Sequence, residues 1–157
     1  MADAAEVVHG TCVALGRRGA LLRGPSGCGK SDLALRFLLL PRRGSAEADA
    51  PALVADDQVE LSCQGGRVLA AAPKSILGKI EVRGIGIVDL PALPSCELAL
   101  VVDLVAPEAV ERFPLETAKA RLVGIDLPLL RLAPFESSAP IKLAIKLALA
   151  VAHAGRT

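Results

Sequence analysis

The chain has 157 residues, enough for one folded domain that buries its own hydrophobic core. Its formal net charge of +1 excludes the strongly basic and acidic classes, so we expect neither nucleic acid nor an anionic membrane as a partner. The hydrophobic 52% includes only three Phe and no Trp or Tyr, a composition typical of helices packed on a buried sheet.

Membrane, secretion and cysteine signals are all missing from the sequence. Apolar runs such as "CELALVVDLVA" meet a charge well before the roughly 18 residues that a membrane-spanning helix needs. The start "MADAAEVVHG" is no secretion signal, so we expect a cytoplasmic protein. The cysteines lack C-x-x-C or zinc-type spacing, which indicates neither a metal site nor disulfides. They are Cys12, Cys28, Cys63 and Cys96.

The first part of the chain reads as two short strands, a helix and a third strand. "VVHGTCVAL" and "ALLRG" are β-prone runs joined by the turn "GRRG". "SDLALRFLLL" predicts a helix ended by Pro41, and the polar stretch "PRRGSAEADAP" predicts a surface loop. "ALVADD" predicts a strand whose carboxyl end bears Asp56 and Asp57.

The second part of the chain predicts more strands and a final helix. "VELSCQGGRVLAAAP" predicts a hairpin, "KSILGK" a short helix, and "IEVRGIGIVDL" and "CELALVVDLV" one strand each. We expect residues 107–122 to be partly helical and the last helix to begin at Pro140. These elements together predict a mixed α/β domain.

The stretch "GPSGCGKS" fits the pattern G-x-x-x-x-G-K-[ST], between a predicted strand and a predicted helix. Its glycines let successive backbone N–H groups face one concavity, which binds phosphate. Lys30 would reach the β- and γ-phosphates, and the Ser31 hydroxyl would bind Mg²⁺. Cys28 is most simply a small residue that fills space at a variable position of the loop, and the alternative is a redox-sensitive thiol. The predicted nucleotide-binding residues are Gly24, Pro25, Ser26, Gly27, Cys28, Gly29, Lys30 and Ser31.

Phosphoryl transfer also needs a base for the acceptor and cations for the moving charge. Asp56 and Asp57 would supply the base and a metal contact if the strand breaks between them, and are otherwise solvated loop acids. Glu81 and Arg83 share one side of an extended chain, as site residues or as a surface ion pair. Without further evidence, His9 is more simply interpreted as a structural residue than as a site residue.

The series "VHG", "GPSGCGKS", "LVADD" and "EVRGIGIVDL" resembles the catalytic domain of the HPr serine kinase/phosphorylases from about Val8 to Val105. The resemblance implies a P-loop domain of the phosphoenolpyruvate-carboxykinase type, with a mixed β-sheet and flanking helices. It implies an enzyme that phosphorylates a seryl hydroxyl of the phosphocarrier protein HPr with ATP or pyrophosphate and Mg²⁺. Removal of that phosphate by phosphorolysis and assembly into hexamers are implied as well.

Site roles follow from the same resemblance. Asp56 matches the general base, and His9 would position it. Asp57 and Glu81 match acids around the metal that Ser31 also binds. The site arginines are matched by Arg83 and, in "VERFPLE", by Arg112.

Three features depart from the family's pattern. Residues 1–157 would form the catalytic domain alone, without the amino-terminal domain of longer members. A longer loop than usual lies between Leu40 and Leu53. The basic motif before the last helix is replaced by "FESSAPIKLAIKLALA", which puts phosphorolysis and subunit contacts in doubt, although Lys142 could supply a charge.

Two other functions stay open on the sequence. A P-loop small-molecule kinase would need an arginine-bearing lid, for which only Arg42 and Arg43 are available. A nucleotide sensor without catalysis would need only the phosphate loop. In either case the scarcity of aromatic residues predicts loose base recognition, with the phosphates dominating affinity.

Overall fold

The computed structural model of the chain describes residues 5–41 and 50–154. The middle of the predicted surface loop, residues 42–49, lies outside the described residues, and so do Arg42 and Arg43. Among the residues described, no helix is both long enough and apolar enough to cross a bilayer.

Besides two 3₁₀ turns, at Lys74–Ile76 and Pro107–Ala109, the described ranges contain two α-helices and eleven strands. Their bounds are β1 (Ala5–His9), β2 (Thr11–Leu15), β3 (Arg18–Arg23), α1 (Lys30–Leu38), β4 (Pro51–Ala55), β5 (Gln58–Gln64), β6 (Arg67–Ala71), β7 (Lys79–Val82), β8 (Gly86–Asp89), β9 (Ser95–Leu104), β10 (Ala118–Leu122), β11 (Ile125–Leu132) and α2 (Ala139–Ala154).

Nine strands form one mixed sheet, in which β1, β5, β6, β9, β3, β2 and β4 are successive neighbours. The long strand β9 runs parallel to β3 on one side and to β11 on the other, and β6 pairs with its first residues. The remaining strand β10 pairs antiparallel with β11. The architecture confirms the predicted mixed α/β fold.

The two faces of the sheet support two hydrophobic cores. Side chains of α1 and α2, including Phe37, Leu143 and Leu147, pack on one face. The curl of the sheet encloses the other core, which includes Leu21 and Val59. Alternate residues of β2 and β3 therefore point into different cores, as the period of two in a strand requires.

A β-bulge changes the side-chain alternation of β9. Gly19 of β3 pairs with Leu98 and its neighbour Ala20 pairs with Leu100, so Ala99 is an extra residue. Leu98 consequently packs in the curled core, whereas Leu100 packs against the helices. The bulge lets one strand serve both cores.

Three predicted elements differ in the structure. Residues 80–90, predicted as one strand, form the hairpin β7–β8, because Gly84 (φ 89°) and Gly86 (φ 121°) turn the chain back. Within residues 107–122 only a 3₁₀ turn (Pro107–Ala109) is helical, and the segment ends in strand β10. Helix α1 ends at Leu38, before Pro41.

Strand β11 has no counterpart in the sequence interpretation. Pro128 in the middle of its run argues against a strand. The turn at Val123 and Gly124, both with positive φ, nevertheless sets β10 against β11, with Lys119 opposite Pro128. The parallel pairing with β9 then holds the other edge of β11.

Two cysteines meet inside the curled core. Cys12 Sγ and Cys96 Sγ lie 3.8 Å apart, and both residues are buried. The hydrogen bond with Cys96, together with burial, raises the pKa of the Cys12 thiol well above its ordinary value. The thiol therefore stays protonated and packs as a small apolar group.

Gly19→Ala should destabilise the fold, because a β-carbon at residue 19 would collide with Cys96 Sγ and lie 3.4 Å from the Val13 carbonyl oxygen. Overpacking of this kind lowers the free energy of unfolding by about 1–3 kcal/mol. Urea unfolding with and without Gly19→Ala, once in the wild-type protein and once in the Cys96→Ala background, measures the effect. The loss caused by Gly19→Ala should be smaller where Cys96 is Ala, and an equal loss in both backgrounds would contradict the proposed collision.

Candidate functional site

The phosphate-loop sequence lies between β3 and α1, as predicted. Gly29 caps the amino end of α1 with φ 104°, and Gly27 has φ 82°, conformations that residues with a side chain rarely adopt. The Cys28 N–H donates to the Pro25 carbonyl at 3.1 Å, which closes a turn within the loop. The amino end of a nine-residue helix therefore opens onto a loop of the phosphate-binding type.

The ammonium group of Lys30 lies beneath this loop. Its Nζ donates to the Gly24 carbonyl at 2.6 Å and to the Pro25 carbonyl at 3.0 Å, and the residue is only 7% exposed. A buried cation needs such partners. The same contacts hold the charge at the loop, where a bound polyphosphate would meet it.

Asp56 lies beside the loop, directly after strand β4. Its Oδ1 accepts hydrogen bonds from Thr11 Oγ1 at 2.9 Å and from Ser31 Oγ at 2.8 Å. The Glu81 N–H approaches Oδ2 at 3.4 Å, which is a weak contact. At 8% exposure the carboxylate is nearly buried, and the hydroxyl groups of β2 and α1 fix its orientation.

Strand β4 ends before Asp56 and Asp57, as a shared site required, and both residues line the same cleft. Asp57 has φ 74°, and its Oδ1 lies 3.3 Å from His9 Nδ1. Strands β1 and β5 pair His9 with Gln58, which brings residue 9 next to Asp57. The expectation that His9 positions Asp56 is therefore corrected: His9 contacts Asp57, and Thr11 with Ser31 holds Asp56.

The hairpin β7–β8 forms the opposite side of a cleft of about 850 Å³. Glu81 and Arg83 line this cleft, and both are exposed. In the described ranges no ion pair joins these two side chains, so the surface-pair alternative does not apply. Lys79 is the second cationic residue of the hairpin that lines the cleft, and it pairs with Asp89 at 2.9 Å.

Arg112 does not lie at the cleft. It follows the 3₁₀ turn after β9, on an exposed segment that also carries Phe113 and Leu115. None of these three residues lines the cleft in the part of the chain that is described. The assignment of Arg112 to the site is corrected accordingly, because its side chain lies on this exposed segment and outside the cleft.

The expected Mg²⁺ ligands have suitable chemistry but do not form a complete cage. Ser31, Asp57 and Glu81 line the cleft and offer the oxygen atoms that Mg²⁺ prefers. Across the described residues no group of three or more His, Cys, Asp or Glu side chains is arranged to hold a metal. Because Mg²⁺ often takes one or two carboxylates and completes its shell with water and substrate phosphate, the residues present fit a shared Mg²⁺.

Thr11 and Phe135 are among the cleft residues that sequence reasoning missed. Thr11 appeared as one residue of an apolar strand, and its signal was a hydroxyl in a run whose other residues are all apolar. Phe135 lay in the segment "FESSAP", noted only as a departure from the family's basic motif. Both reach the cleft through contacts between residues that are far apart in the sequence.

Comparisons with known proteins agree with this geometry. The family model described as HPr Serine kinase C-terminal domain matches residues 1–154. The HPr kinase/phosphorylase of Mycoplasmopsis pulmonis is 38% identical over 104 residues, which cover 62% of this chain and 31% of that protein. The HPr kinase/phosphorylase of an Exiguobacterium species is 34% identical over 134 residues, 78% of this chain and 40% of that protein.

A solved structure shares the fold. The Hpr(Ser) kinase/phosphatase from Coxiella burnetii superposes with a TM-score of 0.76 at 24% identity, over 97% of this chain and 99% of that one. The likeness confirms the predicted fold, a mixed β-sheet with flanking helices. The matched regions span 31% and 40% of the two curated relatives, so the chain corresponds to a part of them.

Thr11→Val should destabilise the protein by about 1–3 kcal/mol, because the nearly buried Asp56 carboxylate loses a hydroxyl donor. Thr11→Ser keeps the hydroxyl and is the matched control. Urea unfolding of both variants measures the difference. If the Val variant is as stable as the Ser variant, Thr11 does not hold Asp56.

Proposed function

Because this chain belongs to the HPr Serine kinase C-terminal domain family, we propose that it transfers a phosphoryl group from ATP to a seryl hydroxyl of the phosphocarrier protein HPr. The observation that carries the proposal is the 2.8 Å hydrogen bond between Ser31 of the phosphate loop and Asp56. It joins a candidate proton acceptor to the loop that would hold the donor's phosphates. The chain as a whole, residues 1–157, is proposed to act as one catalytic domain.

Asp56 is the proposed general base. Thr11 and Ser31 both donate to Oδ1, which leaves Oδ2 with only the long contact from the Glu81 N–H. Oδ2 is therefore the oxygen available to accept the proton of the incoming hydroxyl. General-base catalysis requires this fixed orientation, and the two short hydrogen bonds supply it.

Cationic groups on both sides of the cleft would stabilise the transferred phosphoryl. Lys30 approaches from the phosphate loop and Arg83 from the hairpin. Mg²⁺, when bound by Ser31, Asp57 and Glu81, would neutralise further phosphate charge. The contact between His9 and Asp57 would hold that carboxylate toward the metal.

The reverse reaction would use the same residues. With phosphoserine and inorganic phosphate in the cleft, the phosphoryl group would pass from the serine oxygen to inorganic phosphate to give pyrophosphate, and a protonated Asp56 would return the proton to the serine oxygen. We propose this phosphorolysis as a second activity, with pyrophosphate as an alternative donor in the forward direction. An assay on seryl-phosphorylated HPr with inorganic phosphate tests it directly.

Contacts between copies of the chain are proposed on the same family membership. Exposed apolar side chains support an assembly, because a contiguous apolar patch on a protein surface commonly marks an interaction site. Ile141 and Ile145 lie one turn apart on α2 and are 50% and 47% exposed. A homo-oligomer, the hexamer implied by the resemblance, would cover such a surface.

Asp56→Asn should slow the phosphorylation of purified HPr by roughly 100-fold or more, because the amide cannot accept the hydroxyl proton. ATP binding should persist, since Asp56 is not a proposed phosphate ligand. The control is Asp126→Asn, which removes an exposed carboxylate paired with Arg121 outside the cleft. Transfer of radiolabelled phosphate to HPr and calorimetric ATP titration measure the two properties.

The outcomes separate the roles of Asp56. A rate equal to that of the wild-type protein would remove Asp56 as the base. Loss of ATP binding together with transfer would show that the substitution damaged the phosphate loop through Ser31.

A further inference from the structure

The ring of Phe135 lies at the mouth of the cleft, against the phosphate loop. A β-carbon on Gly29 would be 3.0 Å from its Cζ and 3.1 Å from its Cε1, so the ring packs directly on the loop backbone. The side chain is nevertheless 70% exposed. Of the residues described, Phe135 is the only Phe, Tyr or Trp that lines the cleft.

The segment that carries Phe135 is fastened to α1 on both sides of the ring. The guanidinium of Arg36 donates to the Pro134 carbonyl and, at 3.2 Å, to the Glu136 carbonyl. Asp32, one turn earlier on α1, pairs with Arg36 at 2.9 Å. These bonds fix the backbone before and after residue 135, so the exposed ring does not depend on a ligand for its position.

A second contact holds the far end of the segment. Glu136 pairs with Lys142 of α2 at 2.8 Å, and its carbonyl also accepts the Ala139 N–H at 3.0 Å. The segment is therefore connected to both helices. The exposed face of the ring is therefore held at the cleft and is accessible to a ligand.

The ring lies where we expect the base of a bound nucleotide, the part that is not transferred. The terminal phosphate has to lie beside Asp56, whose donors come from Thr11, Ser31 and the Glu81 backbone. The sugar and base must then extend along the loop and α1. Leu35, one helical turn beyond Ser31, lines the cleft in that direction and adds a second apolar group.

We propose that Phe135 is a stacking platform for the base of the donor nucleotide and that Arg36 is the residue that positions it. This inference rests on the proposed use of ATP. The ligand class is a nucleoside triphosphate with a planar base, and donors without a base would not use the platform. Base–aromatic stacking tolerates different bases, so the platform contributes affinity without strict selection of adenine.

Comparison of ATP with inorganic tripolyphosphate isolates the base. Calorimetric titration of the whole chain, with Mg²⁺ present, should show that Phe135→Ala weakens ATP binding about tenfold and tripolyphosphate binding less than about twofold. Phe135→Tyr keeps the ring and should bind ATP as the wild-type protein does. Phe113→Ala removes an exposed Phe outside the cleft and should change neither constant.

The positioning role of Arg36 has its own readout. Arg36→Lys keeps the charge beside Asp32 but cannot donate to two carbonyls in the same fork geometry. It should weaken ATP binding in the Phe135 background and have little further effect where residue 135 is Ala. Equal effects in both backgrounds would show that Arg36 acts on the phosphate loop or on stability.

Failure of the platform can be told apart from failure of the kinase assignment. If Phe135→Ala weakens ATP and tripolyphosphate equally, or neither, the platform is rejected whatever the transfer assay shows. If the wild-type chain binds neither ligand, the proposed function and the proposed platform are both rejected. ATP binding that depends on Phe135, without transfer to HPr, would support the platform and count against the kinase.

Discussion

The carboxylate of Asp56 is the point on which the rest of the site depends. A nearly buried carboxylate is costly unless donors satisfy it, and here the donors come from β2, from α1 and from the hairpin β7–β8. Each donor belongs to a different element, and each of these elements lines a different side of the cleft. The requirement to satisfy one buried group therefore sets the relative position of the proposed base, the phosphate loop and the residues opposite it.

The strands behind the phosphate loop give this arrangement a rigid support. Strand β3 leads directly into the loop and runs parallel to β9, the strand on which both cores are built. At the last paired position Arg23 makes two hydrogen bonds to the Asp103 carboxylate, at 2.8 and 3.1 Å. A loop that must hold its amide groups in one concavity benefits from such an anchor immediately before its first glycine.

The features that the sequence predicted were those fixed by local chemistry. The phosphate loop needs glycines, a lysine and a helix start within a few residues, and its structure has all of them. The position of Asp56 followed from a strand ending beside such a loop. Thr11, the partner of His9 and the hairpin at Gly84 depend on strand register and on packing between distant residues, which a single sequence does not encode as a short pattern. Arg112 was assigned by resemblance alone, without a local feature to support it.

The charges of the cleft constrain how it can hold a polyphosphate. Four of its lining residues are acidic and three are cationic, namely Asp32, Asp56, Asp57 and Glu81 against Lys30, Lys79 and Arg83. Two of these seven pair with residues outside the lining, since Asp32 pairs with Arg36 and Lys79 with Asp89. The side chains that remain cannot neutralise a triphosphate, so backbone amides and a divalent cation must supply much of the attraction. In a site with so little cationic charge, the contact proposed between Phe135 and the base would add affinity that does not depend on further positive residues.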